Sequence, residues 1–239
     1  TNEVHSATAV EMPGGDIGVF WYAGTQEGSM DVAIFSRVLN QQTGSEKYGT
    51  WSEIRQVIDR TGSMDGLHRH IRKLGNPLAL YYQDKLWLFY VTVSVGGWAG
   101  SSINLIQSSD KGLSWSSPKR LITSPFFNIS TLVKERAQIA EDGSILLPVY
   151  HELMGKFSEI LRLDPQGEII DKYRISHGRG TIQPVVLPQS KDLAIAFLRN
   201  TYEDGSHRIL TSQTIDGGEN WGSLSALTLP NPNAAVSSV

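Results

Sequence analysis

An all-β fold assembled from a repeated unit is the class this sequence predicts, and three observations predict it. Short alternating or apolar runs are separated by Gly, Asp, Asn and Pro, with no long segment at helical spacing. Four segments share the order strand, tight turn, strand. A turn motif ending in Trp then occurs twice, at a separation that fits a structural repeat.

The four strand-turn-strand segments come in order along the chain. They are AVEMPGGDIGVFW from Ala9, LYYQDKLWLFYV from Leu80, AQIAEDGSILLPVY from Ala137 and VVLPQSKDLAIAFL from Val185. Their turns, Pro13-Gly14-Gly15-Asp16, Gln83-Asp84-Lys85, Glu141-Asp142-Gly143 and Gln189-Ser190-Lys191-Asp192, supply residues that accept left-handed backbone or bond their own chain. The Trp motif reads Ser108-Ser109-Asp110-Lys111-Gly112-Leu113-Ser114-Trp115 and again Thr214-Ile215-Asp216-Gly217-Gly218-Glu219-Asn220-Trp221, both S/T-x-D-x-G-x-x-W. Its Asp accepts backbone N–H groups across the turn, its Gly takes a positive φ, and its Trp folds back into a gap between strands or sheets. From Asp110 to Asp216 is 106 residues, two units of about 53, near the period of propeller blades. At the midpoint Asp164-Pro165-Gln166-Gly167 keeps an acidic turn without the Trp, and Gly49-Thr50-Trp51-Ser52 reads as the end of a degenerate earlier copy. Four blades are thus predicted.

Composition bounds the rest. The chain has 239 residues, 40% hydrophobic and 19% charged, enough to bury a sizeable core. A net charge of -3 lacks the basic excess that nucleic acid or an anionic membrane would select. With no cysteine there is no disulfide, thiolate nucleophile or Cys-ligated metal. The most apolar run, Leu86 to Val91, is far shorter than the ~20 residues of a membrane span. Position 1 is Thr, without the basic start and apolar core of a signal peptide, so a processed or excised chain is expected. The end, from Asn231 to Val239, enters a new β-prone segment, and a C-terminal truncation is expected there.

With these motifs the chain resembles the Asp-box, or bacterial neuraminidase repeat, proteins, and in particular the predicted bacterial neuraminidases of the sialidase superfamily. The co-linear context carries the resemblance: HSATAVEMPGGDIGVFWYAGTQEG near the start, GSILLPVYHE in the middle, VVLPQSKDLAIAFLRN before the second Asp box and LPNPNAAVSS at the end. It implies a single domain over 1–239, a six-bladed β-propeller present as about four blades and the start of a fifth. It implies a sialidase-like exo-glycoside hydrolase acting on terminal acidic sugars of glycans, with no cofactor or metal. A secreted or periplasmic location follows from that substrate class. The alternatives are a catalytically inactive carbohydrate-binding propeller and a propeller lyase or hydrolase of uronate-rich polysaccharide. The last calls for a His or Tyr base beside a basic cluster. Two open sheet edges would favour self-association of the isolated chain.

In such a blade the first strand starts, and the second ends, on one face, which selects candidate site residues. Starts of first strands give His5, Asn76, Lys134 to Arg136, Gln183 and Asn231 to Asn233. Ends of second strands give Tyr22 to Glu27, Thr92 to Trp98, His151 with Glu152, and Arg199 with Asn200. Arg199 ends an apolar strand, where a guanidinium calls for a carboxylate partner or a ligand. By resemblance it belongs to the arginine cluster that holds the substrate carboxylate. Glu27, in the turn Gly24-Thr25-Gln26-Glu27-Gly28, stands about where the family carries its acid/base carboxylate, with Asp31 competing for the role. Either His151 or Glu152 enters the pocket as hydrogen-bonding partner or base. Arg136 and Lys134 bind an anionic sugar or else form a surface cluster with Glu135 and Glu141. Trp98 stacks on a sugar or covers an edge strand. His68 and His70, with Arg69 and Arg72, read as a basic surface loop.

Two positions depart from the family pattern. His5-Ser6-Ala7-Thr8 stands where sialidases carry Arg-Ile-Pro, so His5 replaces the first arginine. Gln183 stands sixteen residues before Arg199, where the family places the glutamate that pairs with its nucleophilic tyrosine, and an amide cannot draw a proton as a carboxylate does.

Overall fold

A computed structural model describes residues 3–41, 49–202 and 207–237. The described chain is almost wholly strand and turn, and its contacts divide it into two compact units, residues 1–97 with 101–120, and residues 98–100 with 121–239.

The first unit holds two antiparallel sheets. One runs β1 (Glu3–Glu11), β2 (Ile17–Gly24), β3 (Ala33–Asn40) and β4 (Thr50–Trp51), with β5 (Arg55–Ile58) also pairing with β3. A short helix α1 (Arg60–Leu67) follows, capped by the Asp59 carboxylate on the Gly62 N–H and closed by His68 in left-handed backbone. It directly precedes the basic loop that ends in Arg72. The other sheet runs β6 (Lys73–Tyr82), β7 (Lys85–Val93), β8 (Ser101–Ser108) and β9 (Lys119–Arg120). In β7 every residue after Lys85 is buried, which explains why LWLFYV reads as an unbroken apolar run instead of an alternation.

The second unit repeats the plan. Its first sheet pairs β10 (Thr131–Val133) and β11 (Gln138–Ile139) with β12 (Ile145–His151), then β13 (Phe157–Leu163) and β14 (Ile169–Arg174). Its second runs β15 (Thr181–Pro188), β16 (Ala194–Asn200), β17 (Arg208–Thr214) and β18 (Ser225–Pro230). All four predicted strand-turn-strand segments are antiparallel hairpins. At the second, Gln83 and Asp84 both have positive φ between the paired Tyr82 and Lys85, as a two-residue hairpin loop requires.

Both Asp boxes have the predicted architecture. The Ser108 hydroxyl accepts from Gly112 N–H at 2.8 Å and donates to Asp110 at 2.7 Å, while Asp110 accepts from the Ser114 N–H and hydroxyl. Thr214, Asp216, Gly218 and Asn220 repeat these bonds. Trp115 packs edge-on to Phe20 of the neighbouring sheet, and Trp221 joins a core cluster with Ile160, Val186 and Leu198. The tryptophans therefore fill inter-sheet gaps. Asp164 holds its turn by accepting from the N–H groups of Gln166 and Glu168, without a Trp. At the degenerate copy, Ser52 N–H donates to Val38 O and Ser52 Oγ accepts from Val38 N–H, the same pair of bonds that Ser116 makes with Gln107 after Trp115. Trp51 itself is exposed beneath the Arg37 guanidinium.

Candidate functional site

Three of the first strands carry the same irregularity. Between His5 and Thr8, Gly75 and Leu78, and Ile182 and Val185 the register shifts, so that two residues face one on the second strand. Ser6, Asn76 and Gln183 take positive φ there, and Asn233 does so after β18. Pro77 and Pro184 follow Asn76 and Gln183, a residue that supplies no ladder N–H at a point where the ladder is already broken. In the remaining sheet the interruption is wider, with Lys134 to Ala137 separating β10 from β11 against the continuous β12. Bulges re-aim side chains, and His5, Asn76 and Gln183 all sit at them. The X-Pro signals at Asn76-Pro77 and Gln183-Pro184 were visible in the sequence.

In the first unit the structure brings Glu27, His5 and Tyr22 into one cluster with Glu3 and Lys73, which the sequence did not single out. The Tyr22 hydroxyl donates to Glu27 at 3.1 Å, and Glu27 N–H donates to the Glu3 carboxylate at 2.7 Å. His5 lies 3.3 Å from the same Glu3 oxygen and stacks on Tyr22. The Glu27 N–H and His5 hold the Glu3 carboxyl below its ordinary range. Lys73 stands close to this turn, and burial lowers its pKa against the opposing pull of Glu27. Ser6 donates to Asn76 at 3.4 Å. Asp31 is differently employed, because it accepts from both N–H and hydroxyl of Thr25, and the hydroxyl bond first of all holds its carboxyl low. A carboxyl so held is a poor proton donor.

In the second unit Arg199 is half-buried at the end of β16. Its Nη1 donates to Gln183 Oε1 at 3.0 Å and its Nε to Asn233 Oδ1 at 2.8 Å. Both acceptors are neutral, and among the described residues no carboxylate pairs with the guanidinium. Asn200 is buried and accepts from Tyr202 N–H, so its carbonyl is spent on the following turn. Arg136 is exposed with no ion pair among the described residues.

Lys134 pairs with Glu135 at 3.6 Å, and no pairing of either with Glu141 is present. Glu135 is buried, which raises its pKa against the pull of Lys134, and Ser237 donates to it at 3.1 Å. This carboxyl was missed because alternating Lys-Glu-Arg reads as a solvated strip. His151 ends β12 and lies 2.6 Å from Glu159 of β13, which it addresses diagonally across the pairing. The Glu152 and Leu153 N–H groups both donate to Ser130 Oγ. Trp98 stands half-buried in a single 3₁₀ turn, Trp98–Gly100. Among the described residues no group of three His, Asp or Glu is placed to hold a metal ion, and no helix is long and apolar enough to cross a membrane.

Antiparallel sheets of four or five strands in chain order, two of them carrying Asp boxes and three bulged where polar side chains gather, define a repeat-built β-propeller. The family described as BNR repeat-like domain matches residues 15–239, and the chain belongs to that family. Curated protein sequences gave no match. Among solved structures, a protein of unknown function from Dyadobacter fermentans DSM 18053 superposes with a TM-score of 0.74 at 14% identity, covering 95% of this chain and 70% of that one. The Trypanosoma rangeli sialidase in complex with the inhibitor DANA gives 0.70 at 15% identity, over 92% of this chain and 37% of that one. The NanB sialidase from Streptococcus pneumoniae gives 0.72 at 12% identity, over 95% and 52%. The fold is therefore that of sialidase propellers, and the chain spans about half or less of the two sialidases' length.

Proposed function

We propose that this chain carries the acidic-sugar-binding part of a sialidase-like exo-glycoside hydrolase acting on terminal acidic sugars of glycans. The observation that supports it is the Arg199 guanidinium, oriented by two amides and without a carboxylate partner among the described residues. An arginine held this way keeps its full charge for an incoming carboxylate, to which it can present a bidentate face. Glu27 is the better acid of the two candidates, because the Asp31 carboxylate is already committed to Thr25 while Glu27 has a tyrosine beside it. His5, paired with Glu3 and stacked on Tyr22, would position that tyrosine. A location outside the cytoplasm goes with this substrate class and is part of the same proposal.

One observation favours a second reading, a carbohydrate-binding propeller without hydrolysis. Gln183 accepts from Arg199 where the family places a glutamate, so at this position the chain orients an arginine and does not activate a nucleophile. The uronate lyase reading draws less support. His151 has a carboxylate partner, but Lys172 lies 3.8 Å from that same carboxylate and is no free cation for a uronate.

The test is binding of N-acetylneuraminic acid and of glucuronic acid, each beside its methyl ester, together with release from fluorogenic sialosides and glycuronides. One acid should bind, its ester should not, and Arg199→Ala should abolish binding without moving the thermal midpoint. Equal binding of acid and ester would overturn the assignment of Arg199. Acid binding without release would select the second reading.

A further inference from the structure

A separate pocket of about 200 Å³ opens beside β10, β12 and β13, and its lining contains none of Gln183, Arg199 or Asn233. At its wall His151 is fixed on two sides. Its Nε2 lies 2.6 Å from Glu159 Oε2, and its ring stacks on Phe157 with centroids 4.4 Å apart and planes 18° from parallel. The Arg174 guanidinium in turn lies 3.6 Å from the Phe157 centroid and is tied to the carbonyls of Ser176 and Gly178. Glu159 is buried, and burial alone would raise its pKa. The His151 hydrogen bond, with the charges of Lys172 and Arg174, acts against burial and holds the carboxyl below its ordinary range. In the neutral imidazole the proton sits on Nε2, where Glu159 accepts it, and Nδ1, which bonds no described residue, presents its lone pair to the pocket.

The rim is of another character. Phe127 is 77% exposed and Met154 79%, both lining the pocket. Their loops are pinned: Asn128 accepts from Thr123 N–H and hydroxyl, and Ser130 accepts from the N–H groups of Glu152 and Leu153. The rim is thus a built apolar edge on tied loops. Lys172, the one cation of the lining, has its charge met by Glu159, so the pocket carries no surplus charge to select an anion.

We propose that this pocket is a binding subsite for one neutral sugar ring, which donates a hydroxyl to His151 Nδ1 and lays an apolar ring face on Phe127. An oriented acceptor, hydroxyl-bearing walls at Ser124 and Thr131 and an exposed aromatic are the elements that suit a pyranose, and the volume admits about one such ring. The subsite does not depend on the Arg199 reading, and the two fail separately.

The experiment is a titration of the protein, labelled with ¹⁵N in its histidines, with methyl β-galactopyranoside and methyl α-glucopyranoside, using phenol as an apolar control. A saturable shift of the His151 Nδ1 resonance with one glycoside, in the millimolar range, is expected. Phe127→Ala, at an exposed position that leaves the core intact, should weaken it about tenfold. Arg199→Ala should leave it unchanged. No saturable shift with either glycoside, a shift with phenol alone, or glycoside binding undiminished in Phe127→Ala would overturn the proposal.

Discussion

Arg162 and Arg199 are both half-buried arginines at strand ends of the second unit, and their surroundings differ in one respect that separates two regions of the molecule. Arg162 belongs to the hairpin and Asp-box region, where it donates to the Asp142 carboxylate and to Ser144 Oγ and its pKa is raised. Charges there are matched locally, as they are at Asp16 with Lys111 and inside both Asp boxes. Arg199 lies at the bulged strand ends, where its partners are two neutral amides. A region whose charges are closed among themselves holds sheets together. A region that orients a charge without neutralising it keeps interaction energy for something outside the chain.

The comparison breaks most visibly in the core behind the Asp boxes. Trp221 is buried among Ile160, Val186 and Leu198, and its Nε1–H donates to Gly218 O at 2.9 Å. Trp221→Ala should cost about 3–5 kcal/mol in denaturant unfolding. Trp115→Ala should cost less, because Trp115 is only partly buried and its Nε1 bonds no described partner. An equal cost at both would mean that the boxes stabilise through their turns and not through their tryptophans.

Next in size is a change that makes the second region resemble the first. Asn233→Asp would give Arg199 the carboxylate that Arg162 has. Under the proposed function, affinity for the acidic sugar should fall by about tenfold or more, because the guanidinium would already be paired, while the thermal midpoint should hold or rise slightly. The mirror change, Arg162→Ala, should lower stability by up to about 1 kcal/mol, since the pair is largely exposed, and leave sugar affinity unchanged. If Asn233→Asp leaves affinity intact, Arg199 is a structural residue like Arg162.

The same division governs what could be read from the sequence. The Asp-box region was legible because its bonds are local: Ser108, Asp110, Gly112 and Ser114 are partners within one turn, and residue type with spacing dictates the geometry. The strand-end region was legible in position only. Arg199, Gln183, Asn233, His5 and Glu27 were selected from strand polarity, but most of the partners the structure gives them come from distant positions in the chain. Glu3 reaches Glu27 across 24 residues, and Asn233 reaches Arg199 across 34. Glu159 lies on another strand from His151, and only the pairing of β12 with β13 brings the two together. Burial of Glu135 had no local signal at all.

The smallest expected effect is the acid dependence of the Asp-box turns. Asp110 and Asp216 both fall from an ordinary value of 3.8 to about 2, the first chiefly through the hydroxyl and N–H of Ser114, the second through the N–H and side-chain amide of Asn220. Folded values below unfolded ones mean that the unfolded chain binds these protons first. The stabilisation is therefore complete above pH 3.8 and is lost as pH falls through about 2. Both carboxylates reach solvent, so the loss is modest and screened by salt. Unfolding midpoints of the chain should drop across that window, and the drop should shrink in Asp110→Asn and again in the double variant with Asp216→Asn. Arg199 pairs with no carboxylate among the described residues, so Arg199→Ala should leave the slope where it was. An acid slope that survives the double Asn variant would place the titrating groups elsewhere, with Asp142 beside Arg162, also held at about 2, as the next to replace.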